Sequence, residues 1–273
     1  VFASLRALDL TGNEVGDGGA LALAHNPSLR ALRGLVAPSN PTQAERWTAA
    51  AGEALAGADL PALQHLVLAG QGMGSEGAAA LLASSRLAGL RALNLASCDA
   101  DWAEVIDRCK GREGPALTAL DVCHWTAKKK PRWGDAGLLS TVKHLRVVGL
   151  PGDALAGLLT SGCLGSLEVL VLGHICAEEH AKAVKEVPAL PRLKVLSLEG
   201  WKLDEASAKA LADAPFLAGL EGVDLGPGSD TPPGAARVFL ARGIRLLHGS
   251  LFDKWGAASH RRMDWWDYER LGA

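Results

Sequence analysis

Cysteine and histidine side chains come close together twice along the chain, at Cys123-His124 and at His174, Cys176 and His180. Imidazole nitrogens and thiolates are what zinc prefers, and thiolates also serve as nucleophiles and redox groups. A zinc site repeats its ligands at set intervals, as in Cys-x-x-Cys, and neither group has such an interval. Acyl-transfer chemistry would show a Gly-x-Ser-x-Gly turn, and phosphate chemistry a Gly-x-x-x-x-Gly-Lys-Ser/Thr loop; neither occurs. These residues therefore read as buried thiols and rim histidines. The expectation is no metal, no cofactor and no catalysis by this chain.

The densest run of charge is Lys128-Lys129-Lys130-Pro131-Arg132, flanked by Trp125 and Trp133. Basic residues interleaved with aromatics can hold single-stranded nucleic acid by charge and stacking. A charge run in a loop is more often solvated, or faces an acidic protein. The whole chain carries a net charge of −2, which gives no general attraction to nucleic acid or anionic membranes. It has no apolar run long enough to span a bilayer.

The elements that must position these groups repeat. Leu-x-x-Leu-x-Leu occurs at Leu5–Leu10, Leu63–Leu68, Leu90–Leu95, Leu167–Leu172 and Leu193–Leu198, with weaker copies starting at Leu29, Leu117, Val142, Leu220 and Ile244. The ten starts lie 24, 34, 27, 27, 25, 25, 26, 27 and 24 residues apart. A period in this range marks a solenoid. Within the first copy, Leu5, Leu8 and Leu10 alternate with polar Asp9 and Thr11, as a half-buried strand requires. Val15-Gly16-Asp17-Gly18-Gly19 follows as a turn, and Ala20–Ala24 as a short helix; Ala78–Leu82 is its counterpart in the third copy. Strands alternating with helical returns predict a parallel sheet.

Two features, Leu-x-x-Leu-x-Leu-x-x-Asn at Leu5–Asn13 and Gly-Asp-Gly-Gly-Ala at Gly16–Ala20, with Gly74-Ser75-Glu76-Gly77-Ala78 repeating the second, resemble the leucine-rich repeat family in its ribonuclease-inhibitor-like class. The resemblance implies an α/β leucine-rich-repeat solenoid, or horseshoe, with parallel strands on the concave face and helices on the convex face. It also implies a protein or peptide partner. The array is expected over residues 1–251 and an aromatic C-terminal cap over 252–273, where Trp255, Trp265, Trp266 and Tyr268 crowd together.

The slot that follows each strand departs from the pattern. It reads Asn13, Ala37, Gln71, Cys98, Trp125, Leu150, Ile175, Trp201, Gly228 and Phe252. A polar ladder between turns is therefore expected only early in the chain, and Trp125 and Trp201 are expected in the core. The second copy is long. Thr42 with Glu45 has the spacing of a capping box, which predicts a helical stretch over Thr42–Ala58.

Side chains on adjacent turns form stripes about 5 Å apart. The second residues of the ten motifs read Arg6, Arg30, Gln64, Arg91, Thr118, Lys143, Glu168, Lys194, Glu221 and Arg245. The fifth residues read Asp9, Arg33, Val67, Asn94, Asp121, Arg146, Val171, Ser197, Asp224 and His248. From these stripes the partner-binding set on the concave face is Asp9, Arg33, Arg91, Asn94, Asp121, Lys143, Arg146, Lys194, Ser197, Asp224 and His248. Lys128, Lys129, Lys130 and Arg132 form a secondary basic loop. The odd count of five cysteines, without cap-like pairs, favours a reducing, cytoplasmic setting. The Ala-, Gly-, Leu- and Arg-rich composition is that of bacterial proteins from GC-rich genomes. Because Val1 stands inside a repeat, a second expectation is that the array recruits substrate or senses ligand for a longer enzyme or signalling protein.

Overall fold

Each turn places Leu or Val at the middle of a short strand, and the computed structural model buries that residue in every inner turn. The structure describes residues 4–39, 45–122, 131–173, 177–225 and 233–247. Ten strands run in chain order: β1 (Ala7–Asp9), β2 (Gly34–Val36), β3 (His65–Val67), β4 (Ala92–Asn94), β5 (Ala119–Val122), β6 (His144–Val148), β7 (Val169–Gly173), β8 (Val195–Glu199), β9 (Gly222–Asp224) and β10 (Arg245–Leu247). All are parallel in one sheet, each paired with the next in sequence. The register stacks Leu35, Leu66, Leu93, Leu120, Leu145, Leu170, Leu196 and Val223 in one row, at most 3% exposed, and this row is the spine of the core.

The returns are helical: α1 (Asp17–Ala24), α2 (Ala49–Ala56), α3 (Gly74–Leu82), α4 (Trp102–Cys109), α5 (Gly152–Thr160), α6 (Ala177–Ala183), α7 (Glu205–Ala212) and α8 (Pro233–Ala241). The expected turn at 15–19 is shorter than read, since Asp17, Gly18 and Gly19 already belong to α1. Neighbouring helices normally sit about 8–10 Å apart and strands only about 4.8 Å, so the sheet takes the inside of the coil. Small residues reduce the mismatch. An atom added at the Cβ position of Gly52 in α2 would lie 2.7 Å from the Gly77 Cα in α3, so these helices touch backbone to backbone.

The second turn corrects one expectation. Helix α2 begins at Ala49, and Thr48 caps it by accepting a hydrogen bond from the Ala50 amide. Glu45 lies outside the helix, so no box with Thr42 starts it, and Thr42 itself lies outside the described residues. Trp47, in the extra length, is fully buried and donates its indole N–H to the Val15 carbonyl. The described part of the insertion is thus tied back into the core.

The polar ladder is carried by Gln71 rather than Asn13. Gln71 is buried, accepts from the Trp47 amide at 2.7 Å and donates to the Ala37 carbonyl at 2.7 Å, joining the second and third turns. Asn13 is exposed and reaches only Thr11. Further on, Leu150 and Trp201 fill the slot as core residues. Trp125 and the aromatic segment 252–273 lie outside the described residues. In the fifth turn two 3-10 turns, Trp133–Asp135 and Gly137–Leu139, lie between β5 and β6. Trp102, Trp133 and Leu145 line an apolar cavity of about 20 Å³ there, which is too small and too apolar to hold a ligand.

Candidate functional site

The register fixes three rows of side chains on the strand-bearing side. The third-position row is Ala7, Gly34, His65, Ala92, Ala119, His144, Val169, Val195, Gly222 and Arg245, half of them alanine or glycine. The fifth-position row is Asp9, Val36, Val67, Asn94, Asp121, Arg146, Val171, Ser197, Asp224 and Leu247. Two expected members of that row are corrected. The second copy starts at Leu32 rather than Leu29, so Val36 takes the place given to Arg33. The last copy starts at Gly243 rather than Ile244, so Leu247 takes the place given to His248, which lies outside the described residues.

Apart from Asp9, the polar members of the fifth row are buried. Asn94 is 5% exposed, Asp121 9%, Arg146 7%, and Ser197 and Asp224 1% each. They bond to one another across adjacent strands. Asn94 Nδ2 donates to Asp121 Oδ2 at 3.2 Å, and Arg146 Nη1 to both Asp121 oxygens at 3.2 and 3.3 Å. Ser197 Oγ donates to Asp224 Oδ2 at 3.4 Å. Val36, Val67, Ala69, Ala96 and Val148 form a small apolar cluster of their own, separate from the main core. Of the fifth-position residues singled out from the sequence, Asp9 and the displaced Arg33 are exposed among those described.

The second-position row is different. Its members are Arg6, Arg33, Gln64, Arg91, Thr118, Lys143, Glu168, Lys194 and Glu221, where the strands begin. Their backbones form a continuous ladder: each amide donates to the carbonyl of the preceding member at 2.7–2.9 Å. Arg6, Arg33, Arg91, Lys143, Lys194 and Glu221 are exposed. Arg33 thus belongs to this rim, in the place read for Arg30. Arg30 is paired with Asp59 at 3.2 Å. Along the later turns, Lys143 pairs with Glu168 at 3.1 Å.

The groups considered for metal or redox chemistry are dispersed. Cys123, His124, His174 and Cys176 lie outside the described residues, as do Lys128, Lys129 and Lys130; Arg132 is exposed. His180 is buried, with Nε2 2.7 Å from the Leu150 carbonyl and its ring edge-on to Trp201. Burial pushes the Cys98 and Cys109 thiols up to about 11, so neither is a ready thiolate near neutral pH. Among the described residues, no three His, Cys, Asp or Glu side chains gather as a metal would need, and no helix is long and apolar enough to cross a membrane.

His144 makes stability depend on pH. Burial lowers its pKa from 6.5 to about 4, against the pull of Glu168 and with the push of Lys143. The unfolded chain takes up this proton first, so the contribution is complete above pH ~6.5 and is lost as pH falls toward ~4. The loss is roughly 3 kcal/mol over that window. Urea midpoints measured from pH 7 to pH 4 should fall, and H144L should flatten the fall; an unchanged slope in H144L would remove His144 as its cause.

A parallel strand–helix coil with this turn defines the leucine-rich-repeat fold, and the leucine-rich repeat model matches residues 3–24, the first turn. The first turn thus carries a leucine-rich repeat, and nine further parallel strands continue the same coil. Two solved structures are similar to this chain. One is an internalin from Listeria monocytogenes, 13% identical with a TM-score of 0.42, over 89% of this chain and 67% of that one. The other is a leucine-rich-repeat protein from Leptospira interrogans, 16% identical with a TM-score of 0.38, over 90% of this chain and 66% of that one. This chain thus spans about two thirds of each. No curated protein matches it.

Proposed function

We propose that this chain is a protein-interaction module that holds a protein or peptide on its strand-bearing side and performs no catalysis of its own. The observation carrying this reading is the second-position row, whose backbone ladder runs across nine turns and carries six exposed side chains, with Gln64, Thr118 and Glu168 half-buried between them. The backbone of such a row is already ordered before a partner docks, so the ordering cost of docking falls on the side chains alone. The buried fifth row acts beneath it as a frame, with Asp9 at its open end. Solenoids in general bind along such extended surfaces.

Photo-crosslinking tests the reading. A benzoylphenylalanine at Ala88, Gln64 or Thr118 should yield discrete adducts in the cell of origin. The same probe at Ala22, Glu53 or Asp107, on the helices, should yield none. Adducts only from the helical side, or none from any position, would overturn the proposal.

A further inference from the structure

The rim charges are not evenly spread. At the starts of β1, β2 and β4 stand the exposed cations Arg6, Arg33 and Arg91, with Arg86 and Arg112 in the loops that lead into β4 and β5; none of the five is ion-paired among the described residues, although Arg6 bonds the Ala31 carbonyl and Arg91 those of Ala88 and Leu90. In the loops that lead into those strands, Asp59 is taken by Arg30, and Glu113 is the remaining carboxylate. Along the later turns Lys143 and Glu168 neutralise each other. Other acidic residues of the early turns, Asp17, Glu76 and Glu104, occupy the first turns of α1, α3 and α4, where they complement the helix N-termini, while Asp9 stands exposed in β1. No such account covers the arginines, because the last turns of α1, α2 and α3 carry no basic residue.

The geometry points to an extended acidic peptide segment as the occupant of this rim, lying across the first five turns; this rests on the interaction-module reading above. Four strand steps of about 4.8 Å span about 19 Å, the length of about six extended residues. Carboxylates on one side of an extended peptide recur about every 6.7 Å, within reach of long guanidinium side chains set one and two strands apart. Gln64 and Thr118 stand between and beside the arginines and can bond the peptide's own amides. Single-stranded nucleic acid fits less well. It needs aromatic faces for its bases, whereas among the described residues Trp47, Trp102, Trp133, Trp201, Phe216 and Phe239 are all buried.

The probe is a fluorescein-labelled decapeptide of alternating Glu and Gly, followed by anisotropy. It should bind at low salt, weaken as salt screens the charges, and lose about tenfold in affinity with R33E/R91E. R33Q/R91Q should lose less. K202E/K209E makes the same change in net charge on a distant part of the coil and should alter affinity less than about twofold. Equal losses in R33E/R91E and K202E/K209E would overturn the site, as would no binding at low salt. Preferential binding of a deca-thymidine oligonucleotide would overturn the peptide assignment. If crosslinks still come from Gln64 and Ala88 while the Glu peptide fails to bind, the module reading stands and the acidic partner falls.

Discussion

Gly70→Ala is expected to destabilise the protein by about 4 kcal/mol, far more than an alanine at an exposed glycine of the same backbone shape. Gly70 follows β3 with φ at +77°, a left-handed conformation that costs an L side chain about 1–2 kcal/mol. Space is the larger problem. An added Cβ would lie 2.0 Å from the Ser39 carbonyl oxygen, a backbone atom of the preceding turn that cannot swing aside. Gly70 is also held by its amide donating to the Ala96 carbonyl at 2.7 Å, so it cannot move away cheaply. Gly12 supplies the control, with φ at +76° and nothing within 4 Å of its would-be Cβ. G12A should cost about 1 kcal/mol. Urea unfolding followed by tryptophan fluorescence compares the two directly. Equal costs would mean that conformation alone matters and that the turns are not in backbone contact at Gly70.

Breaking the pair of Asp121 and Arg146 is the second large effect. The Arg146 guanidinium and Asp121 carboxylate lie 3.2 Å apart in the buried fifth row, with their side chains 8% and 11% exposed. Removing either partner strands a buried charge, and D121A and R146A should each cost about 3 kcal/mol. The double variant should cost about 2 kcal/mol less than the sum, because the second truncation removes the stranded charge left by the first. Val171 flanks the pair on one side and Asn94 on the other, so D121V/R146V should recover part of the loss, the rest remaining because Asn94 Nδ2 loses its Asp121 acceptor. Additive single effects in the cycle would show that the two side chains do not act as a pair. These are losses of folding. R33E/R91E, on the exposed rim, should leave the urea midpoint unchanged while changing peptide binding.

Local sequence settled the number and order of the strands, because a half-buried strand needs only alternation within six residues. It also placed Trp201 in the core, since an indole in a slot between two apolar turns has nowhere else to go. Register was less legible. Leu29-x-x-Leu32 and Leu32-x-x-Leu35 both satisfy the opening of the motif, and choosing between them depends on which carbonyl of the first turn the second turn's amides meet. The Arg33 amide meets the Arg6 carbonyl, and this contact moves Arg33 from the fifth row to the second. A smaller slip, of one residue, separates Ile244 from Gly243 at the other end.

The polar residues of the strand-bearing side show the deeper limit. Asn94, Asp121 and Arg146 alternate with leucines as solvent-facing side chains would. Whether such a group meets water or a neighbour depends on residues 25 and 27 positions away in the chain, brought alongside by the parallel ladder. Alternation is a property of one strand, whereas satisfaction of a buried charge belongs to the sheet. The chain alone therefore determined a leucine-rich coil and which residues are polar. The folded sheet decided which of them are locked into its frame and which, on the rim at Arg6, Arg33 and Arg91, stand exposed to meet another molecule.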